Sequence, residues 1–313
     1  MKLFKLTFAT VSALFVAFGA NAESITVVSW GGAYTKSQVE AYHKPWSQKT
    51  GNQVVSEDYS GGLAEVKAQV ESGNVTWDVV DVELSDALQG CDEGILEEID
   101  HSTLPAAPDG SPATQDFLPG ALQDCAVGNI VWSTLYAYDK TKFDTPPTTM
   151  ADFFDIEKFP GKRGMRKLGK AMLEMALMGD GVPAAEVYDL LGTEEGVQRA
   201  FAKLDTIKDH VVWWEAGAQP PQLLADGEVS MTITWNGRIF NAIAQEKQPF
   251  GLVWGGQIYD LDLFVIPKGS KNKEAALDFI RFSTDTKRLA DQASWIPYGP
   301  LRNSSIPLIG TFH

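Results

Sequence analysis

Two short clusters in this 313-residue sequence set aromatic rings where they could do chemistry. In "SITVVSWGGAY" a strand-like apolar run ends on Trp30, passes through Gly31 and Gly32, and meets Tyr34 at the start of a helical pattern. In "VVWWEAG" Trp213 and Trp214 stand beside Glu215. A ring face next to a carboxylate can hold a cation, the ring through its quadrupole and the acid through its charge. The plain alternative is packing, with the rings forming core under a turn. If "VVWW" is a strand, its two tryptophans face opposite ways, one toward a core and one toward a ligand, and the sequence does not say which. Gly61 and Gly62 precede another helical stretch and could offer backbone N–H groups to an anion, or could simply make a turn. The sequence has no G-x-S-x-G elbow, no H-E-x-x-H and no P-loop. Its four histidines, His43, His101, His210 and His313, are scattered. No histidine stands at zinc-ligand spacing from a cysteine, and no adjacent tyrosine pair of the kind that suits iron occurs, so no metal or other cofactor is expected.

Those clusters need elements to position them. Short apolar runs alternate with amphipathic helical patterns: "SITVVSW", a helix to Gly51, "NQVVSEDY", a helix across "GGLAEVKAQVESG", then "WDVVDVEL". Strand, helix, strand, helix, strand is one doubly wound α/β unit. "VGNIVWSTLYAYDKTKF" supplies two further extended segments leading to a Pro-rich passage, and "FGLVWGGQIYDLDLFVIPKGS" supplies two more before a last helical run. The length exceeds what one core usually holds and suits two lobes. Two chain crossings between lobes are predicted, near residues 133–138 and 255–260, a geometry that lets the lobes close on something between them. The expected division is 23–135 with 258–313 as the first, discontinuous lobe and 136–257 as the second.

The amino end reads as a secretory leader over 1–22, with Lys2 and Lys5 before an apolar run and Ala20-Asn21-Ala22 as the cleavage site. The expected location is therefore the periplasm. The whole chain carries a formal charge of -15 and the leader holds two lysines and no acid, so the mature chain stands at -17. Such a surface repels nucleic acid and attracts cations, although acidity also serves plain solubility. The two cysteines, Cys91 and Cys125, suit one disulfide in an oxidising compartment, the alternative being two reduced buried thiols.

The segments "VVSWGGAY", "WDVVDVE", "VWSTLYAYDKTKF", "FPGKRG", "LLADGEVSMTITWNGRIFNAI", "LFVIPKGSKNKEAALDFIRF" and "WIPYGPLRN" together resemble the bacterial extracellular solute-binding proteins of the spermidine/putrescine type. The resemblance runs in order along nearly all of the mature chain. It implies a two-lobed type II periplasmic binding protein, a monomer that captures a small cationic amine in the cleft between its lobes and passes it to an ABC permease. Such a ligand asks for aromatic walls along its methylenes and an anion at each buried ammonium. On this resemblance Trp30, Trp235 in "TWNG" and Tyr298 in "IPYGP" are cleft aromatics. Tyr34 stands near a further one, displaced by about one position, and Asp262 in "YDLDLF" is the acid that grips an amine. Relatives of this type continue for some tens of residues past "NSSIPLI", so a shortened C-terminus is expected.

The departures from that pattern matter as much. After the third strand this chain has "VVDVELSD", bringing Asp81 and Glu83 near the cleft, where relatives carry Ser and Tyr. In the second lobe "RKLGKAMLEM" offers Leu168 and Ala171, flanked by Lys167 and Lys170, where relatives carry acids. Asp260 replaces a stacking tryptophan, with Tyr259 beside it, and Arg238 follows "WNG". Trp214 is counted with the ligand wall. Negative charge moves to one lobe and positive charge to the other. The expected ligand is a polyamine, with an amine-bearing zwitterion such as an opine, amino acid or aminophosphonate as the alternative. From another class, a secreted hydrolase using Asp81 and Asp262 across the cleft is the competing reading.

Overall fold

A computed structural model describes residues 22–310. Apart from Ala22, the leader expected over 1–22 lies outside the described residues. Ten strands make one sheet among these residues: β1 (Ser24–Ser29), β2 (Gln53–Asp58), β3 (Val79–Glu83), β4 (Leu122–Gln123), β5 (Ala126–Asp139), β6 (Arg163–Arg166), β7 (Val211–Trp214), β8 (Met231–Trp235), β9 (Phe250–Val265) and β10 (Gly299–Pro300). Their order is β2-β1-β3-β9-β5-β8-β6-β7, with β4 and β10 on the flank of β5. β1 pairs in parallel with β2 and β3, and β6 pairs in parallel with β7 and β8. The two long strands between these parallel sets, β5 and β9, run antiparallel to each other and to their outer neighbours.

Among the described residues this arrangement gives two large cores, one in each half, with two smaller clusters beside them. Ile25, Val27 and Val28 of β1 are wholly buried and join Tyr42, Trp46, Phe264 and Phe279 in the first core. Tyr136, Phe153, Met165, Met175 and Ile233 belong to the second. Parallel strands covered by helices read as nearly continuous apolar runs, as "VVDV" of β3 does.

The sequence patterning predicts four extended segments where the structure has two strands, of 14 and 16 residues. β5 and β9 partner each other from Ala126 opposite Val265 to Asp139 opposite Phe250, so neither needs to break between cores. Their ladder slips instead. Thr134 faces Ile258 but Tyr136 faces Val253, and the surplus residues of β9 bulge out with Trp254 half-exposed. A second irregularity lies between Gly128 and Ile130, where Asn129 is the surplus residue. Bulges of this kind bend a strand and re-aim a side chain.

Cys91 and Cys125 are bonded, 34 positions apart, at the edge of the first core. Closing a loop of that length contributes about 3–4 kcal/mol in the chain-entropy account. Serine at both positions is expected to lower unfolding stability by that amount in urea titration, with ligand affinity kept. Equal stability of the two proteins would show that the staple does not restrain the unfolded chain.

Candidate functional site

The carboxyl ends of the parallel strands from both halves converge on one cleft, the place where open α/β sheets bind ligands. Trp30 follows β1, while Glu83, Arg166, Trp214 and Trp235 are the last residues of β3, β6, β7 and β8. Strand register aligns them: Arg166 pairs with Trp214, and Trp235 with Thr134.

Trp235 is the hub. Its ring makes edge contacts with Trp30 at 5.8 Å, Trp132 at 5.6 Å and Trp214 at 5.7 Å between centroids. The backbone thins to admit these rings. A Cβ at Gly61 would lie 2.3 Å from Trp30, and one at Gly217 would lie 2.0 Å from Trp235. Gly61 therefore serves as a packing face for Trp30, which accounts for half of the Gly-Gly pair.

Charges of both signs are set among the rings. The Arg166 guanidinium lies over Trp30 and Trp235, at 5.6 and 5.2 Å. It pairs with Glu83 at 3.2 Å and donates to the Ser60 carbonyl oxygen. Lys170 Nζ reaches Glu83 at 2.6 Å and Asp260 at 2.9 Å, and donates to Ser85 Oγ. Burial works against the Lys170 ammonium, but Glu83 and Asp260 outweigh it and its pKa is raised. Burial raises the Asp260 carboxyl, with Lys170 opposing. Asp262 accepts from Trp132 Nε1 at 2.7 Å, and burial together with the charges of Asp81 and Glu83 holds its pKa well above the usual carboxylate range.

Trp30, Trp214, Trp235, Glu83, Asp260, Asp262, Tyr34, Arg238 and Tyr298 all line this region. Of the paired tryptophans, Trp214 is 1% exposed and faces the cleft, while Trp213 is 51% exposed and faces solvent. Asp81 stands one layer behind the wall, fully buried, where its Oδ2 accepts from Ser29 Oγ and Gln38 Nε2. Tyr34 is braced from the same side, its hydroxyl accepting from Asn129 Nδ2, and Asn129 in turn accepts from Tyr42. The bulge in β5 thus aims Asn129 at the back of the aromatic wall. Arg238, expected to face the ligand, spends both Nη groups across the cleft on main-chain oxygens, those of Trp30 at 2.6 Å and Gly31 at 3.0 Å.

Two further residues complete the site without a mark in the sequence reading. Trp132 shares a face of β5 with Ile130 and Thr134, a parity visible in "NIVWST" once the strand is known to be continuous. Arg166 ends a four-residue strand with no apolar alternation to announce it.

A cleft closed by two α/β lobes and lined by aromatic rings and opposed charges defines a solute-binding protein. The chain belongs to the bacterial extracellular solute-binding protein family, which matches residues 41–309. It is 44% identical over 309 residues to the gamma-aminobutyric acid-binding protein of Pseudomonas aeruginosa, covering 99% of this chain and 84% of that one. It is 26% identical over 310 residues to the putrescine/cadaverine-binding protein of the same organism, covering 92% and 82%. Among solved structures it resembles MotA from A. tumefaciens B6 in complex with glucopine, at TM-score 0.85 and 34% identity over 91% of this chain and 86% of that one. It likewise resembles the Atu4243-GABA receptor, at TM-score 0.78 and 35% identity over 92% and 86%. These proteins are two-lobed binders and not enzymes, so the hydrolase reading falls away.

Proposed function

We propose that this protein captures a small amine-bearing zwitterion of the ω-amino acid type, such as gamma-aminobutyric acid, in the periplasm and delivers it to an ABC permease. The observation that carries this reading is the set of donors in the cleft. Arg166 is stacked between two rings, and the indole N–H groups of Trp30 and Trp214 are buried without an acceptor. An indole N–H can only donate, and leaving one unpaired in the interior costs about 1–3 kcal/mol. A ligand carboxylate supplies what these donors lack, whereas a polyamine brings only more donors and places like charge beside Arg166 and Lys170. Asp262, which accepts from Trp132 Nε1 and carries no ion pair among the described residues, is the natural partner of the ammonium. The binding proteins for gamma-aminobutyric acid and glucopine among its relatives support the same class. In this reading the lobes are 23–135 with 258–313, and 136–257, hinged where the β5/β9 ladder slips.

Calorimetric titration of the mature protein with gamma-aminobutyric acid and with putrescine tests the proposal. The amino acid is expected to bind more tightly. Arg166→Gln is expected to weaken it by about tenfold to a hundredfold, the worth of a charge-assisted hydrogen bond to an ion. Putrescine binding more tightly than any zwitterion, with Arg166→Gln improving it, would return the site to the polyamines.

A further inference from the structure

The carboxyl group of Asp262 sits where its charge is disfavoured. The residue is 4% exposed and faces a cavity of about 10 Å³, room for one water-sized group. Trp30, Tyr34, Ile130, Trp132, Trp235 and Tyr298 wall that cavity, so little in it solvates an anion. Trp132 Nε1 donates to the acid at 2.7 Å. Directly across the sheet, in register, stands the carboxylate of Glu83, with Asp81 on the same strand and Asp260 two positions back on β9. Of the site's cations, Arg166 and Lys170 pair with Glu83, and Lys170 also with Asp260. Those four charges sum to zero and lend Asp262 no net positive field. Arg238 lines the same cavity and gives both Nη groups to the main-chain oxygens of Trp30 and Gly31. Its single charge faces two buried acids, Asp81 and Asp262. Tyr34, Tyr59 and Tyr298 stand round the acid as phenols whose pKa values are raised by burial, so they bring no charge.

A primary ammonium matches this cavity in size and in sign, and an opposite charge in contact favours the ionised carboxylate. We infer that Asp262 holds a proton in the ligand-free protein and that the solute's ammonium displaces it, so that each capture releases one proton to solvent. The exchange balances. The carboxyl O–H bond breaks and leaves its electron pair on the carboxylate, the ammonium keeps its three N–H bonds, and the proton passes to buffer. Asp81, Glu83 and Trp132 belong with Asp262 to the half built on the first core, whereas Arg238 comes from the other half, so the acids stay together when the lobes part. The upward shift of the Asp262 carboxyl points the same way. This inference rests on the proposed function in one respect: it takes the solute's ammonium to sit at Asp262.

Calorimetric titration with gamma-aminobutyric acid at about pH 7, in phosphate and in Tris, buffers of small and large ionisation enthalpy, counts the protons. About one proton released per solute is expected in wild type. The complex then holds one proton fewer than the free protein, so affinity is expected to rise with pH between about 6 and about 7.5, approaching tenfold per unit. Asp262→Asn keeps an oxygen for Trp132 but has no proton to give, and is expected to bind at least about tenfold more weakly and to release none. Should that variant bind too weakly to titrate, infrared difference spectra decide. Solute is expected to remove the carbonyl band of a protonated carboxylic acid from wild type, and ligand-free Asp262→Asn is expected to lack that band while its circular dichroism reports the native fold. Gamma-aminobutyric acid binding with equal enthalpy in both buffers, or proton release that persists in Asp262→Asn, overturns the inference and leaves the proposed function standing. Putrescine binding more tightly than any zwitterion overturns the proposed function, and the proton count taken with putrescine then decides the exchange by the same criterion.

Discussion

Trp235→Ala is expected to destabilise the protein by about 3–5 kcal/mol, the usual cost of emptying a buried tryptophan site, and to abolish measurable ligand binding. The ring is 6% exposed and is the shared neighbour of Trp30, Trp132 and Trp214, so its loss frees one edge of each. Two guanidinium groups also lose a stacking partner, because Arg166 and Arg238 both lie 5.2 Å from its centroid. Each such contact contributes about 0.5–2 kcal/mol according to its exposure. Urea unfolding read by fluorescence gives the first quantity and calorimetry the second. Trp235→Phe, which keeps a ring in the same place, is expected to recover most of the stability and part of the affinity. Wild-type affinity in the alanine variant would remove the aromatic hub from the binding account.

Asp81 sets the second large effect. Burial raises its carboxyl from 3.8 to about 7, against hydrogen bonds from Gln38, Tyr34 and Ser29 that favour the charged form. Between about pH 4 and pH 7 the folded protein holds a proton that the unfolded chain has released. Folding stability from this group therefore falls as pH rises through that window. The total is on the order of 4 kcal/mol, because each tenfold difference in proton affinity between the folded and unfolded chains is worth about 1.4 kcal/mol. Asparagine can keep accepting from Ser29 and Gln38 through its amide oxygen and has no proton to lose. Asp81→Asn is thus expected to flatten the decline and to be the more stable protein at about pH 8, with little difference at about pH 4. Asp262 is raised as well and keeps its own share of the slope in both proteins. Urea titrations of ligand-free protein across this range decide the matter: parallel profiles for the two proteins would mean that Asp81 ionises freely.

What could be read in advance follows a physical division. Ile25, Val27 and Val28 form a short apolar run that ends at a Gly-Gly turn, so β1 and the ring at its tip are local facts. The opposed charges of the two halves were legible as composition, in Glu83 and Asp260 against Lys170. Arg166 was not, because its meaning depends on Glu83, 83 positions away, and on a ring from each half. β9 reads as broken because the Gly-rich "WGGQ" suggests an end, whereas its long partner β5 lets the strand resume after its bulge. Arg238 illustrates the limit most plainly. Its acceptors are main-chain oxygens, and a carbonyl has the same formula at every position, so nothing in the residue types around Trp30 and Gly31 foretells the bond.

That bond has a consequence for how such a protein changes its taste. The clasp from Arg238 to the β1 turn engages no side chain on the receiving side, so replacing the residues that meet the solute leaves its acceptors in place. Selection, or a designer seeking a sensor for a new compound, can therefore rework the pocket wall at Trp214 or Tyr259 without touching this clasp. The ring wall and this clasp are thus open to change separately, each at its own pace.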